Sequence, residues 1–334
     1  MNPLRLTSTL AAAAALTFAL AGCSGSSGAS TAPPAGAATT SAATAGFPVT
    51  VTVPGAAPVH LDHAPTRIAV LSPDAAVAVA ELGAADRVVA VPSGATNSTL
   101  VPDPDTYAKV EHTISDDTSP DVEQILSWKP DLVVVTARHT GEKDASSQLT
   151  NAGIPVLTFT NGWSTADAIT TNLTLLGKAL GSPDAATKLV STITSGVASA
   201  KTATASVSTR PKVLVLSNQA GTPFVNASSV ITSQLVTLAG GVNAADAAGV
   251  HATRPVNPEL IVKAAPDYIM LVDVLGKGRS SFDSMLSNPA VKALPAVENG
   301  HVKLFAARDV YGLAGREVVS GTAAVRAWIH PELG

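Results

Sequence analysis

The sequence predicts an α/β fold of two similar lobes. Each is built on a parallel sheet, one long helix joins them, and a ligand cleft lies between. Three observations carry this. Short apolar runs alternate with helical patterns from about Phe47 onward, which is the pattern of βα units and parallel sheets. The order restarts midway, where Lys212–Ser217 (KVLVLS) echoes Arg67–Ser72 (RIAVLS). A helix-to-strand unit also occurs twice, as SPDVEQILSWKPDLVVV at Ser119–Val135 and NPELIVKAAPDYIMLV at Asn257–Val272. In each copy a glutamate stands eight residues before the aspartate of a Pro-Asp pair: Glu123 before Asp131, and Glu259 before Asp267. The repeat is far too widely spaced for a solenoid and describes a duplicated lobe. Ligands of open parallel sheets sit outside the carboxyl ends of the strands, so two such lobes facing each other make a cleft.

In chain order, residues 1–22 come first. They hold one early cation, Arg5, and the apolar run LAAAAALTFAL, too short for a membrane anchor and laid out like a secretory signal. Cys23 is the only cysteine, which excludes an intramolecular disulfide. Residues 24–46 carry no charge and almost no large apolar side chain, so the segment from 23 to 46 reads as a flexible tether.

The first lobe is expected over 47–182. Its strands are Arg67–Ser72, Arg87–Val91, Leu132–Thr136 and Ile154–Thr158. Its helices are Pro73–Gly83, Ser119–Lys129, one near Lys143–Ala152 and one near Thr165–Leu180. In the Ser119–Lys129 helix, Ser119 is the expected cap and Pro120 belongs to the first turn. The linking helix is expected over 183–207, Ala/Ser/Thr-rich and weakly patterned. The second lobe, 208–334, repeats the order. Strand Lys212–Ser217, a helix near Ile231–Ala239, helix Pro258–Ala265, strands Tyr268–Val272 and Val302–Phe305, and helix Glu317–Ile329 follow one another. The net charge of −4 leaves no basic footprint for nucleic acid, and no later segment has the length and apolarity of a membrane helix.

Leu20-Ala21-Gly22-Cys23 resembles the lipobox of bacterial lipoproteins. That resemblance implies cleavage before Cys23 and a diacylglyceryl group on its sulfur, hence a protein held by lipid on the extracytoplasmic face of the cell membrane. The globular part resembles the periplasmic-binding-protein-like solute-binding lipoproteins of ABC importers for ferric siderophores, heme and cobalamin. PTRIAVLS, ELGAADRVVAV, SPDVEQILSWKPDLVVV, AGIPVLTF and LLGKALG carry the likeness in the first lobe; PELIVKAAPDYIMLV and NPAVKALPAVENGHVKLF carry it in the second. The resemblance implies two Rossmann-like lobes on a single helix, working as a monomer that delivers a captured chelate to ABC permease subunits and does no chemistry. It also implies that Glu123 and Glu259 dock onto the permease, one from each lobe. A local reading stays open, since an acid early in a helix suits the dipole.

The cleft candidates lie just after the expected strand ends. They are Arg138, His139 and Trp163 in the first lobe, and His251, Arg254, Arg279, Arg308, Tyr311 and Arg316 in the second. Arginine forks and an aromatic face suit an anionic, oxygen-rich ferric siderophore. Heme needs an axial ligand and cations for its propionates, for which His139, His251 and Tyr311 are the candidates. A tyrosine that heme relatives often carry before the first-lobe glutamate is replaced here by Ser115-Asp116-Asp117. No cofactor and no bare-metal site are expected. His60-Leu61-Asp62-His63 has ligand-like spacing without supporting ligands and reads as structural.

Two further classes complete the reading. An enzyme would need more than Gly276-Lys277-Gly278-Arg279, which lacks the third glycine of a phosphate fingerprint; no Walker motif or nucleophile elbow accompanies it. A lipoprotein adaptor that binds only another protein remains the third class, distinguished by a cleft that is closed or apolar.

Overall fold

The computed structural model describes residues 46–219, 221–311 and 314–333. The expected signal segment, Cys23 and all of the expected tether except Gly46 lie outside the described residues. The described chain opens on an antiparallel pair, β1 (Val49–Val51) and β2 (Val59–Leu61). The histidine-rich turn falls here: His60 bonds Thr50 at 3.1 Å and sits 3.2 Å from Asp62, both exposed, which is strand pairing.

The first sheet follows. Its elements are β3 (Ile68–Val70), α1 (Pro73–Glu81), β4 (Val88–Pro92), β5 (His112–Ile114), α2 (Val122–Ser127), β6 (Leu132–Thr136), α3 (Thr140–Asn151) and β7 (Val156–Phe159). The strands lie in the order β5-β4-β3-β6-β7, all parallel. β3, β4 and β6 are buried at every position, as expected of parallel strands covered on both faces. Ile68 and Val70 belong to one core, Ala69 and Leu71 to the other.

After α4 (Ala166–Leu180) and α5 (Pro183–Ala203) the second sheet is laid down. It comprises β8 (Lys212–Gln219), β9 (Thr222–Val225), α6 (Ile231–Leu238), β10 (Val242–Asn243), α7 (Ala244–Ala247), β11 (Arg254–Pro255), α8 (Pro258–Ala264) and β12 (Tyr268–Asp273). The series continues with α9 (Asp283–Leu286), α10 (Pro289–Lys292), α11 (Pro295–Glu298), β13 (Val302–Ala306), α12 (Ala307–Val310) and α13 (Glu317–Ile329). β10, β8, β12 and β13 are parallel, whereas β9 and β11 run antiparallel at one edge. The α/β class and the restarted order therefore hold, with a mixed edge in the second copy. β5, β10 and β11 are two or three residues long, too short to leave a period in the sequence.

One apolar core runs from Ile68 through Leu189 and Ile193 of α5 to Val215, Leu235 and Val318. α5 approaches α13 closely because position 196 is glycine: a Cβ there would stand 2.4 Å from a Val319 methyl.

The Pro-Asp repeat has a structural job. Asp131 accepts from the Thr66 and Arg67 backbone N–H groups and from the Thr66 hydroxyl, at 2.8, 2.9 and 2.8 Å. Its own N–H donates to the Arg67 carbonyl at 2.9 Å. Asp267 repeats this on the second sheet, accepting from Lys212 N–H at 2.7 Å and donating to Lys212 O at 2.8 Å. Each aspartate thus ties the start of its own strand to the start of the strand beside it. In both copies the residue before the proline is left-handed, Lys129 at φ 52° and Ala265 at φ 43°.

The helix starts correct one expectation. Asn257 caps α8 by accepting from Leu260 N–H, but α2 is capped by Asp121, which accepts from Gln124 N–H, and not by Ser119. Asp121 presents the same short acceptor two residues later, so Pro120 stays outside the helix. Glu123 and Glu259 then occupy the same place, the second residue of their helices, and both are exposed.

Asp131→Ala is expected to lower unfolding free energy by about 1–3 kcal/mol in urea titration, the range for hydrogen bonds to a charged group. Asp267→Ala, which loses one side-chain bond, should cost less. The reverse order would refute the clamp.

Candidate functional site

The cleft between the two sheets is a cavity of about 370 Å³ lined from both lobes. Its walls come from the carboxyl ends of the strands, the position open α/β sheets use for ligands. Asp74 follows β3, Arg138 follows β6, and Gly162–Ser164 follow β7. From the second sheet come Gln219 at the end of β8, Asn226 after β9, and Tyr311 after α12.

The polar centre is built around Asp74, 1 % exposed at the start of α1. One carboxylate oxygen accepts from the Ala75 N–H at 2.7 Å and the Thr136 hydroxyl at 2.9 Å; the other accepts from the Arg138 guanidinium. Arg138 also donates to the Gly162 carbonyl at 3.3 Å. Burial works against the charge on Arg138, but Asp74, with smaller help from Tyr311 and Glu142, holds the guanidinium above its ordinary pKa. The backbone before α3 is fixed by Glu142, a buried carboxylate that accepts from the N–H groups of Arg138 and His139. Opposite, burial pushes the Tyr311 phenol up, with Arg138 pulling it partly back.

Trp163 reaches the cavity wall but is only 1 % exposed. Its indole N–H donates to Thr136 at 2.9 Å and its ring tilts against Phe159 at 4.9 Å. It closes the wall and leaves no free stacking face.

Of the expected cleft residues, then, Arg138, Trp163 and Tyr311 line the cavity and the others do not. His139 is at the start of α3, exposed, with Nδ1 3.3 Å from Glu142. His251, Arg254 and Arg279 are exposed outside the lining; Thr253 reaches the cavity from the same loop as His251. Arg308 bonds across the lobes, from Nη1 to Ser98 O at 2.9 Å and from its N–H to Thr99 O at 3.0 Å. Arg316 pairs with Glu81 at 3.2 Å. The cleft is consequently less cationic than loop position suggests, because following a strand does not decide which way a side chain points. Gln219, Asn226 and Thr232 fill the place of the expected arginines. Asn218-Gln219 stood at the predicted end of β8, while the Asn226–Thr232 stretch carried no signal.

The glycine turn after β12 is not a free phosphate loop. The Lys277 and Gly278 N–H groups already donate to the buried Asp273 carboxylate, at 3.0 and 2.7 Å. No group of three His, Cys, Asp or Glu that could hold a metal occurs among the described residues, and no described helix is long and apolar enough to cross a membrane.

The family model for periplasmic binding proteins matches residues 68–308. No curated protein sequence matches the chain. Among solved structures, the periplasmic heme-binding protein RhuT from Roseiflexus sp. RS-1 is 24% identical with a TM-score of 0.65, covering 78% of this chain and 98% of its own. A periplasmic heme-binding protein from Pseudomonas aeruginosa is 21% identical, TM-score 0.68, covering 80% and 93%. The siderophore-binding protein BauB, bound to ferric iron with two acinetobactin molecules, is 20% identical, TM-score 0.67, covering 84% and 98%. At these identities the likeness is one of fold.

Arg138→Met leaves Asp74 buried without its cation. It should lower stability by about 3 kcal/mol, the low end for breaking a buried pair, since Arg138 keeps some solvent contact. The Asp74→Asn, Arg138→Met double variant should recover part of this in thermal melts; no recovery would mean the two groups are not coupled.

Proposed function

This chain belongs to the periplasmic binding protein family, and from that premise we propose that it captures an iron chelate, a ferric siderophore first, for an ABC importer. It does no chemistry on its cargo. The observation that carries this is the cleft. A guanidinium fixed by Asp74 faces a phenol and a set of amides and hydroxyls across the carboxyl ends of two sheets. Such donors read oxygen-rich chelates, and a pre-set guanidinium loses little freedom on binding. The cavity is open, and its largely apolar wall carries a fixed guanidinium and a phenol, which a protein-only adaptor does not call for. The lobes at 47–182 and 208–334, with 183–207 between, are the bodies that hold the cargo. A lipid on Cys23 would keep the protein on the extracytoplasmic membrane surface.

Trp163 on the cavity wall makes fluorescence the direct assay. Ferric siderophores should quench it, and Arg138→Met should weaken affinity about tenfold to hundredfold, the worth of one charged hydrogen bond. Absence of a response to a panel of ferric siderophores, heme and cobalamin would remove the chelate reading. Heme is the second reading, because Tyr311 lines the cavity whereas His139 and His251 do not. A heme complex should lose its Soret shift in Tyr311→Phe and keep it in His139→Ala and His251→Ala.

Glu123 and Glu259 are proposed as the permease contacts. They sit at matching helix positions, one per lobe, exposed and without a hydrogen-bond or salt-bridge partner among the described residues. Exposed charges of this kind set orientation and encounter rate more than affinity. Glu123→Ala with Glu259→Ala should cut cellular uptake while leaving chelate affinity unchanged; a loss of affinity would place them elsewhere in the mechanism.

A further inference from the structure

A second cavity, about 450 Å³, opens between the lobes beside the cleft. α1 and the segment 95–107 form one side; α12 and the start of α13 form the other. Two glutamates converge on it, Glu81 from the last turn of α1 and Glu317 from the first turn of α13. Glu317 is 7 % exposed and the Glu81 side chain 13 %. Each has its Oε2 buried without a hydrogen-bond partner among the described residues. Arg316 reaches only the other oxygen of Glu81.

Buried polar atoms in a folded protein are almost always satisfied, and the exceptions call for an explanation. Both carboxylates close on Gly315: a Cβ there would stand 2.5 Å from Glu317 Oε2 and 3.0 Å from Glu81 Oε1, so these two oxygens lie near enough to each other for one donor group to bond both. Carboxyl groups outnumber guanidiniums four to two around the cavity, with Asp103, Asp309, Arg308 and Arg316 completing the set. Apart from the hydroxyls of Thr106 and Ser320, the remaining wall is apolar, with Val77, Val101 and the buried Tyr107, whose hydroxyl donates to the Ala76 carbonyl. A bare divalent ion wants six or more oxygen ligands, and the described residues supply no such group. An ammonium on a short hydrocarbon chain fits both parts.

We propose that this crevice is a second binding site, for a primary alkylammonium whose nitrogen bridges Glu81 and Glu317 while its chain lies along Val77, Val101 and Tyr107. The site uses none of the residues assigned to the chelate, so the two readings stand separately. Because its walls come from both lobes, an occupant links them. Burial, followed by the Glu81 charge, pushes Glu317 up to about 7, and burial raises Glu81 too against the pull of Arg316. An alkylammonium keeps its proton to about pH 10 by the lysine reference, so the complementary charges are complete only above neutrality.

The test is calorimetry and thermal shift on the full chain with n-butylammonium, n-butanol and Mg²⁺ as probes at matched ionic strength. Saturable binding of n-butylammonium alone, stronger at pH 8 than at pH 6, is the expected result. Glu317→Gln and Glu81→Gln should each weaken it about tenfold to hundredfold, the worth of a charged hydrogen bond. Circular dichroism spectra matching the parent confirm that both variants fold. No saturable binding of n-butylammonium, equal binding of n-butanol, preference for Mg²⁺, or affinity unchanged in both variants would each overturn the proposal.

Discussion

The carboxylates of Asp131 and Asp267 fix where each sheet begins, and the rest of the molecule inherits its placement from that. Each bonds to the backbone at the start of the preceding core strand while its own N–H returns the contact. A parallel strand pair has no tight turn to set its register, because its connection is a long crossover. A side chain that locks two strand starts does that work. With the starts aligned, Ile68 pairs with Leu132 and Val213 with Tyr268, and Asp74, Arg138, Gln219 and Val274 reach one cavity. The left-handed residues Lys129 and Ala265 turn the chain from helix into the clamp. The eight-residue spacing is the length of that device, which accounts for its recurrence without reference to a partner. What it leaves unexplained is the glutamate itself, exposed at the same helical position in both copies.

The cleft has a balanced charge. Asp74 nearly cancels Arg138, so the cavity attracts anions less through net field than through a donor fork held in one orientation. Such a site discriminates by geometry. A ligand that fits takes over the guanidinium donors facing the cavity, and one that does not leaves them unpaired at a cost. Thr136 sits at the centre of this arrangement, donating to Asp74 while accepting from the Trp163 indole. The wall and the charge are therefore parts of one network, and loosening either disturbs the other.

Most of the architecture was legible because parallel strands buried on both faces leave unbroken apolar runs. RIAVLS, LVVVT and KVLVLS could hardly be anything else, and the helix Glu317–Ile329 appears with its expected ends. β5, β10 and β11 were not legible, being held by pairing rather than by pattern. The site was legible only in part. Sequence places loops at strand ends, so Arg138 and Tyr311 were found, but the direction of a loop arginine depends on partners far along the chain. Arg308 turns to Ser98, 210 residues away, and Arg316 to Glu81, 235 away. Glu81 and Glu317 lay inside helices whose patterns looked ordinary, and only the fold shows that they face each other.

Those same long-range contacts decide how the lobes can move. α5 packs against α13 at Gly196 with no room for a Cβ, and the apolar core passes through α5 without a break. Arg308 and Arg316 add polar ties on the flank of the cleft. A wide hinge would have to open this core, whereas a small rotation about α5 would only stretch the flank. The cleft and the acidic crevice share α1, which carries Asp74 at its start and Glu81 at its end. The two sites thus share one nine-residue helix while drawing on opposite ends of it.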